Sequence, residues 1–153
     1  MMELRPASNQ DRPAIERLVF GVLREFGLSP NDETDADLRD IEASYIHRGG
    51  TFDVLVSTSG QIVGTIGLYP VSKSMCELRK MYLDKSFRGQ GHGRRLLDHA
   101  LARAKKIGFT RVTLETANVL QAAIALYERY GFKPYNPDHK SCRCDRAYYL
   151  DLV

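Results

Sequence analysis

Hydrophobic residues recur along the chain at two different spacings, and each spacing predicts a different kind of element. Recurrence every three or four residues predicts helices, whereas alternation of apolar and polar positions predicts strands. The predicted helices cover residues 13–26, 35–47, 91–106 and 121–130. The predicted strands cover residues 3–5, 51–57, 61–68, 76–83, 111–116 and 147–152. Each predicted helix ends within two residues of a glycine, which is the usual C-terminal stop.

The order of these elements predicts an α/β fold. Two helices and a hairpin with Ser59-Gly60 at its turn fill the first half, and strands alternate with helices through the second half. A mixed sheet with helices packed on its faces accommodates that order. The length of 153 residues is typical of one domain, and the sequence has no internal repeat and no low-complexity linker. We therefore expect a single domain over residues 1–153.

Composition and charge exclude several classes of partner. The net charge is only +3 and the basic residues are spread along the chain, which argues against nucleic acid as a partner. No apolar stretch reaches the roughly 18 residues of a membrane span, and the first residues lack the apolar core of a signal peptide, so no membrane partner is expected. The three cysteines, Cys76, Cys142 and Cys144, form neither a disulfide framework nor a zinc motif. Free thiols favour a reducing, cytoplasmic location.

A glycine-rich loop between the strand at 76–83 and the following helix carries the most specific chemistry. Its residues are Arg88, Gly89, Gln90, Gly91, His92, Gly93, Arg94 and Arg95. Glycines let the backbone approach a ligand closely, and the free N–H groups of a helix N-terminus bind anions. Arginines at that positive helix end are unfavourable unless an anion such as a pyrophosphate is bound. The loop lacks the Lys-Ser/Thr of a Walker A motif and the third glycine of a dinucleotide fingerprint. A glycine-rich turn with solvated arginines is the alternative interpretation.

Three motifs in this half of the chain resemble those of the GNAT N-acetyltransferases. Arg88-x-x-Gly91-x-Gly93 is similar to their Gln/Arg-x-x-Gly-x-Gly/Ala signature, and residues 77–83 resemble their fourth strand. Residues 123–132, AIALYERYGF, resemble their A-x-x-L-Y-E-x-x-G-F ending. The resemblance implies a single-domain GNAT fold, in which a mixed, mostly antiparallel central sheet has helices on both faces and splayed fourth and fifth strands. It also implies acetyl-CoA as co-substrate and, as in many members of the family, a homodimer.

The resemblance further implies how the cofactor lies on this chain. Pantetheine would run along the fourth strand like an added strand, hydrogen-bonded to the backbone of Met81 and Leu83. The N–H groups of residues 89–93 would cradle the pyrophosphate. The cofactor-binding residues expected on this basis are Met81, Tyr82, Leu83, Arg88, Gly89, Gln90, Gly91, His92, Gly93 and Arg94. The chain departs from the family seven residues before Tyr127, where many members carry Asn and this sequence has Leu120.

Acetyl transfer to an amine requires a base for the ammonium, a donor for the oxyanion and an acid for the departing thiolate. In register with the phosphate loop, Glu77 matches the glutamate base of some family members, and Glu115 is a reserve base. Tyr127 is the expected general acid, because a phenol suits a thiol leaving group. The Met81 N–H is the expected oxyanion donor. The alternatives are a charged strand residue for Glu77, with a water chain as base, and a core aromatic for Tyr127.

The acceptor is less constrained by the sequence. The acidic run from Asp32 to Glu42 favours a cationic amine if it lines the cleft, and is otherwise the solvated start of the helix predicted at 35–47. Arg79, on the same strand face as Glu77, would instead bind a substrate carboxylate and so favour an amino acid. The polar segment 135–146 is expected to shape this pocket.

These observations predict an acetyl-CoA-dependent N-acetyltransferase. It would move the acetyl group onto a primary amine of a small molecule or amino acid, by direct attack in a ternary complex. Two alternatives stay open: a non-catalytic acyl-CoA-binding regulatory protein, and an enzyme that acetylates lysine on proteins. The four histidines lack the spacing of metal ligands, so no metal is expected.

Overall fold

The computed structural model describes residues 2–152, so residues 1 and 153 of the predicted domain lie outside the described part. Its strands are β1 (Glu3–Pro6), β2 (Thr51–Val56), β3 (Ile62–Pro70), β4 (Met75–Leu83), β5 (Arg111–Thr116), β6 (Lys133–Pro134) and β7 (Arg146–Asp151). Its α-helices are α1 (Arg12–Glu25), α2 (His92–Ile107) and α3 (Gln121–Arg129). Proline in the first turn starts α1, and Gly108 in the left-handed conformation ends α2.

The strands form one sheet in the order β1-β2-β3-β4-β5-β7-β6. Every neighbouring pair is antiparallel except β4 and β5, which run parallel. The parallel pairing is short: it joins residues 75–77 of β4 to residues 111–113 of β5, although both strands continue beyond it. The predicted mixed, mostly antiparallel sheet with splayed fourth and fifth strands is confirmed.

Helices cover both faces of the sheet, as predicted. On one face, α1 buries Ile15, Val19 and Leu23, which recur every four residues, and lies mainly over β3 and β4. On the other face, α2 and α3 pack Leu97 and Ile124 into a larger cluster with the central strands. Each such side chain contributes about 1.5–3 kcal/mol when removed from water. The sheet is therefore fixed between two separate apolar layers.

Strand β4 carries a β-bulge at Lys80, the one non-glycine residue with positive φ (55°) among those described. Between its pairs with Arg79 and Tyr82, the partner strand β3 advances by two residues while β4 advances by three. Arg79 and Lys80 consequently both point towards the α1 face of the sheet. There Arg79 stacks on the Tyr69 ring and Lys80 donates a hydrogen bond to the Asp37 carboxylate. Met81 returns to the face of α2 and α3.

The segment predicted as a helix at residues 35–47 is helical in the structure, but it is not a regular α-helix. A 3₁₀ turn covers Ala36–Asp40 and one π-helical turn covers Glu42–Ile46. Tertiary contacts override the helical spacing here, because Asp37 and Tyr45 both turn inward and the Tyr45 hydroxyl donates a hydrogen bond to the Asp37 carboxylate. The pattern also does not predict β6, which has only two residues and is too short to show alternation.

Two glycines should respond in opposite ways to alanine. At Gly67 in β3, a Cβ would lie 2.8 Å from Cε1 of Tyr45 and 2.9 Å from Cδ2 of Phe52, both buried rings. We expect Gly67→Ala to lower the free energy of unfolding by about 1–3 kcal/mol through overpacking. Gly21 in α1 has no atom within 4 Å of its Cβ position, so Gly21→Ala should raise that free energy by about 0.5–1 kcal/mol. Urea denaturation measures both, and an unchanged or raised free energy of unfolding in Gly67→Ala would contradict the packing around Gly67.

Candidate active site

A cleft of about 1200 Å³ opens where β4 and β5 separate. The expected site residues that line it are Glu77, Arg79, Met81, Tyr82, Leu83, Arg88, Gly89, Gly91, Gly93, Arg94, Glu115 and Tyr127. Gln90 and His92 are not part of its lining. The Gln90 side chain donates a hydrogen bond to the Ser86 carbonyl (3.3 Å), and the His92 ring lies 6.4 Å from the Phe87 ring.

The glycine-rich loop presents a row of backbone donors to one end of the cleft. Gly89 and Gly91 have φ values of 75° and 87°, which glycine adopts without steric cost. Within the described residues, no N–H group of residues 89–94 donates a backbone hydrogen bond. The first bond of α2 runs from the Arg95 N–H to the Gly91 carbonyl (3.1 Å). Such rows of N–H groups at a helix start are suited to phosphate oxygens.

Arg88 connects this loop to helix α1. Its guanidinium makes two hydrogen bonds to the Glu25 carboxylate (2.5 and 2.9 Å), and its Nε donates to the Leu83 carbonyl (3.0 Å). The hydrogen bonds from Arg88 hold the pKa of the Glu25 carboxyl below its usual value. Arg94 has no carboxylate partner among the described residues. It is therefore better placed than Arg88 to pair with an anion.

Tyr127 lies on the α2–α3 side of the opening between the strands. Its ring packs against Phe132 at 5.7 Å, and its hydroxyl lies 3.6 Å from Sδ of Met81. Burial, with a smaller contribution from Tyr82, raises the pKa of the Tyr127 phenol above its ordinary value. The residue thus combines both sequence interpretations, since its ring belongs to the core and the residue lines the cleft.

Two carboxylates lie on the opposite side of that opening. Glu77 is the last residue of β4 that pairs with β5, opposite Thr113, and Glu115 is two residues further along β5 on the same face. The Glu115 carboxylate accepts a hydrogen bond from the Ser141 N–H (2.8 Å). Burial, followed by Glu115 and Glu77, raises the pKa of the half-buried Cys144 thiol. Both carboxylates therefore lie close enough to the Cys144 side chain to influence its ionisation.

Arg79, the candidate for binding a substrate carboxylate, is engaged within the chain. Its Nε forms an ion pair with Glu77, and its guanidinium carbon lies 3.7 Å from the ring centre of Tyr69. The ion pair and the stacking hold this guanidinium against the sheet.

A buried ion cluster lies in the wall of the cleft, where its two cations, Lys80 and Arg143, form part of the lining. The Lys80 Nζ lies 3.3 Å from Asp35 and 3.1 Å from Asp37. The Arg143 guanidinium makes two hydrogen bonds to Asp35, of 2.6 and 2.8 Å. Two cations and two carboxylates balance here, which is the condition for burying charges.

The acidic run from Asp32 to Glu42 is consequently neither wholly part of the cleft lining nor wholly solvated. Asp35 and Asp37 are buried in the ion cluster, and Glu33 lines the cleft. Other members lie at the surface, where Glu42 accepts a hydrogen bond from the Asn9 N–H.

The sequence interpretation missed the contributions of Asp35, Lys80 and Arg143. One signal for Lys80 was available. Two adjacent charges, Arg79 and Lys80, interrupt the alternation of an otherwise regular strand, which is typical of a bulge. Nothing local to Asp35 or Arg143 indicates that the two pair with each other, because 108 residues separate them.

Residues 2–152 contain neither a candidate metal site nor a candidate membrane-spanning helix. No group of three or more His, Cys, Asp or Glu side chains is arranged to hold a metal ion there. No helix in that range has the length and apolar character needed to cross a membrane. All three cysteines are free thiols.

Comparison with known proteins identifies the family. The model of the acetyltransferase (GNAT) family matches residues 19–132. The uncharacterized N-acetyltransferase YjgM of Escherichia coli is 37% identical over 136 residues, covering 85% of this chain and 81% of that protein. A GNAT-family acetyltransferase from Staphylococcus aureus superposes with a TM-score of 0.94 at 26% identity, over 100% of both chains. A phosphinothricin acetyltransferase from Sinorhizobium meliloti in complex with AcCoA has a TM-score of 0.77 at 19% identity, over 99% of this chain and 88% of that one. The chain belongs to the GNAT acetyltransferase family.

Proposed function

We propose that this chain transfers the acetyl group of acetyl-CoA to a primary amine of a small molecule. The observation that carries the proposal is the opening between β4 and β5, with a row of N–H donors at one end and Glu77 and Tyr127 on its two sides. The N-acetyltransferase relatives and the acetyl-CoA bound to the Sinorhizobium meliloti enzyme support it.

Acetyl-CoA would lie with its pyrophosphate on the N–H groups of residues 89–93 and its pantetheine along β4. Beyond Glu77 that strand has no pairing with β5, so its edge can accept an extended ligand as an added strand. Met81 and Leu83 would supply the backbone groups, and Arg94 would add positive charge near the phosphates. The thioester would then lie between Tyr127 and Glu77.

The proposed reaction is direct attack in a ternary complex. Glu77, alone or through a water molecule, takes the proton of the substrate ammonium, and the amine nitrogen attacks the thioester carbonyl carbon. The Met81 N–H stabilises the oxyanion. As the C–S bond breaks, the Tyr127 proton moves to the thiolate sulfur, and the nitrogen passes its excess proton, directly or through water, to the Tyr127 oxygen, which leaves a neutral amide and restores the phenol. Burial keeps this phenol protonated but also makes it a weaker acid, so proton transfer must accompany bond breaking and cannot precede it.

The acceptor end of the cleft favours a small, positively charged amine. Arg79, Lys80 and Arg143 are all paired with carboxylates of the chain, which disfavours a substrate carboxylate. Glu115 has no cationic partner among the described residues and lies beside the proposed base, which suits an ammonium group. Residues 139–144 line this end as well, so the acceptor must fit beneath a loop. That arrangement favours a small molecule over a lysine on a protein.

Release of free thiol from acetyl-CoA, measured against a panel of acceptors, tests the proposal. The panel contains diamines, neutral monoamines, amino acids and a lysine peptide. We expect turnover with small amines, fastest with those that carry a second positive charge. Tight acetyl-CoA binding without turnover on any acceptor would favour the regulatory alternative. A preference for the peptide would favour protein acetylation.

We also propose that the protein is a homodimer and that it is located in the cytoplasm. A homodimer is supported by the family alone. A cytoplasmic location is supported by the free thiols of Cys76, Cys142 and Cys144, which suit a reducing compartment.

Substitution of two glycines with the same backbone conformation separates cofactor binding from stability. Gly91 in the phosphate loop and Gly60 in the β2–β3 hairpin have φ values of 87° and 86°, and neither has an atom within 4 Å of its Cβ position. Gly91→Val and Gly60→Val should both lose stability, since this conformation costs a side chain roughly 1–2 kcal/mol. Only Gly91→Val should weaken acetyl-CoA binding, about 10- to 100-fold, the value of one hydrogen bond to a charged group. Calorimetric titration measures the Kd, and equal affinities in the two variants would remove the phosphate role of the loop.

Removal of the Tyr127 hydroxyl tests whether this residue is the general acid. Tyr127→Phe keeps the packing against Phe132 but loses the proton donor. We expect kcat to fall by about 10²- to 10⁴-fold with little change in acetyl-CoA affinity. Tyr130→Phe, directly after the last residue of α3, is the matched control: it loses a 2.6 Å hydrogen bond to Asp98 outside the cleft and should keep its turnover. Full turnover in Tyr127→Phe would exclude the proposed acid.

The pH dependence distinguishes the two candidate bases. Glu77→Gln should lower kcat/KM by about 10²- to 10⁴-fold near neutral pH, where an amine substrate is protonated. The loss should shrink at pH values above the amine pKa of about 10, because the free amine needs no base. Glu115→Gln keeps an oxygen for the Ser141 N–H, and should raise the KM of a cationic acceptor without changing the pH profile. The reverse assignment of these two effects would make Glu115 the base.

A further inference from the structure

The loop between β6 and β7 (residues 135–145) crosses the acceptor end of the cleft and is attached on both sides. On the β5 side, the N–H groups of Ser141 and Asp145 donate hydrogen bonds to that strand (2.8 and 3.1 Å). On the other side, Arg143 reaches Asp35 in the irregular segment between α1 and β2. The loop therefore connects β5 to the segment between α1 and β2. The ion pair of Arg143 with Asp35 makes the attachment to that segment.

That ion pair is bidentate and almost completely removed from water. The Arg143 and Asp35 side chains are only 11% and 3% exposed, and both oxygens of the carboxylate are used. Arg143 also donates to the Ser29 carbonyl (3.4 Å). Burial is the largest single effect and opposes the charge on Asp35, but the hydrogen bonds from Arg143 and the Asn31 N–H, together with the charges of Lys80 and Arg143, outweigh it and hold the pKa of this carboxyl below its ordinary value. The pair is therefore ionised at neutral pH.

The same carboxylate connects the loop to β4. The Lys80 Nζ lies 3.3 Å from Asp35, and Lys80 occupies the bulge immediately before Met81. Asp35 thus joins the loop over the acceptor end to the part of β4 beside the proposed thioester position. Breaking a buried pair by removing one partner leaves the other charge uncompensated, so the geometry here depends on both members.

We propose that Arg143 is a positioning residue for the acceptor amine, because its ion pair with Asp35 holds the β6–β7 loop over the acceptor end of the cleft. The inference rests on the proposed function and concerns the acceptor half of the same site. Arg143 acts through the loop and does not contact the reacting atoms. If the pair is lost, the loop moves and the acceptor is held less accurately. A displacement of 1 Å can lower the rate of such a step about 100-fold.

Two substitutions at Arg143 and one control test this role. Arg143→Gln removes the charge, Arg143→Lys keeps it but cannot form the two-pronged contact, and Arg146→Gln changes an exposed arginine at the start of β7. We expect Arg143→Gln to lower kcat/KM for the acceptor about 10- to 100-fold, mainly through kcat because the bound acceptor is misplaced, with unchanged Kd for acetyl-CoA. Arg143→Lys should recover part of the loss, and Arg146→Gln should match the unsubstituted chain.

Hydrogen exchange supplies a second measurement in the same proteins. The amides of Ser141 and Cys144 are hydrogen-bonded in the loop and should exchange faster in Arg143→Gln, while amides of β3 and β4 keep their protection. If Arg143→Gln does not fold, Arg143→Lys carries both comparisons.

The outcomes separate this inference from the proposed function. An unsubstituted chain that acetylates no amine overturns both. An active chain in which both Arg143 variants keep the acceptor parameters, or keep the loop amides protected, overturns the inference alone. Acetyl-CoA affinity that falls together with acceptor use, alongside faster exchange throughout the sheet, would show a merely structural role and would also overturn it.

Discussion

The end of pairing between β4 and β5 after three residues is the constraint on which the rest of the structure depends. Past Glu77 and Thr113, the facing edges of the two strands diverge and their backbone groups have no strand partner across the opening. Unpaired N–H and C=O groups in an interior are costly, so water or an extended ligand must supply the missing hydrogen bonds. The same break in strand pairing therefore determines both the course of the two strands and the position of the cleft. The edge that the sheet leaves open is the edge proposed to receive pantetheine.

The bulge at Lys80 divides the chemistry between the two faces of the sheet. Strict alternation from Glu77 would put Met81 on the Glu77 face and Lys80 on the Tyr127 face. With one extra residue, Met81 contacts Tyr127 while Lys80 reaches the buried carboxylates. Positive φ at a lysine costs roughly 1–2 kcal/mol. A 2.7 Å hydrogen bond from the Thr65 hydroxyl to the Lys80 carbonyl offsets part of that cost.

The sequence predicts the regular elements and the cofactor end of the cleft better than the acceptor end, for a physical reason. Helical spacing, strand alternation and a glycine-rich turn act within a few residues of one another. The acceptor end depends on pairs that are distant in sequence, since 43 residues separate Asp37 from Lys80 and 108 separate Asp35 from Arg143. No local pattern encodes such pairs. The irregular helical geometry after α1 has the same origin, because buried ion pairs of Asp35 and Asp37 fix the course of that segment.

The two halves of the cleft also differ in the kind of group proposed to recognise a ligand. Backbone N–H groups do so at the cofactor end, and they persist through most side-chain substitutions as long as the glycines keep positive φ. Charged side chains in a shared, buried cluster shape the acceptor end. A buried ion pair adds little net stability compared with apolar side chains of the same volume, so stability alone does not explain why Asp35, Lys80 and Arg143 occupy it. Their directional hydrogen bonds connect the β6–β7 loop, the segment between α1 and β2 and the bulge in β4. Apolar contacts would define the relative positions of these three elements less precisely. The role in orienting the acceptor that we propose for Arg143 would account for the burial of these charges.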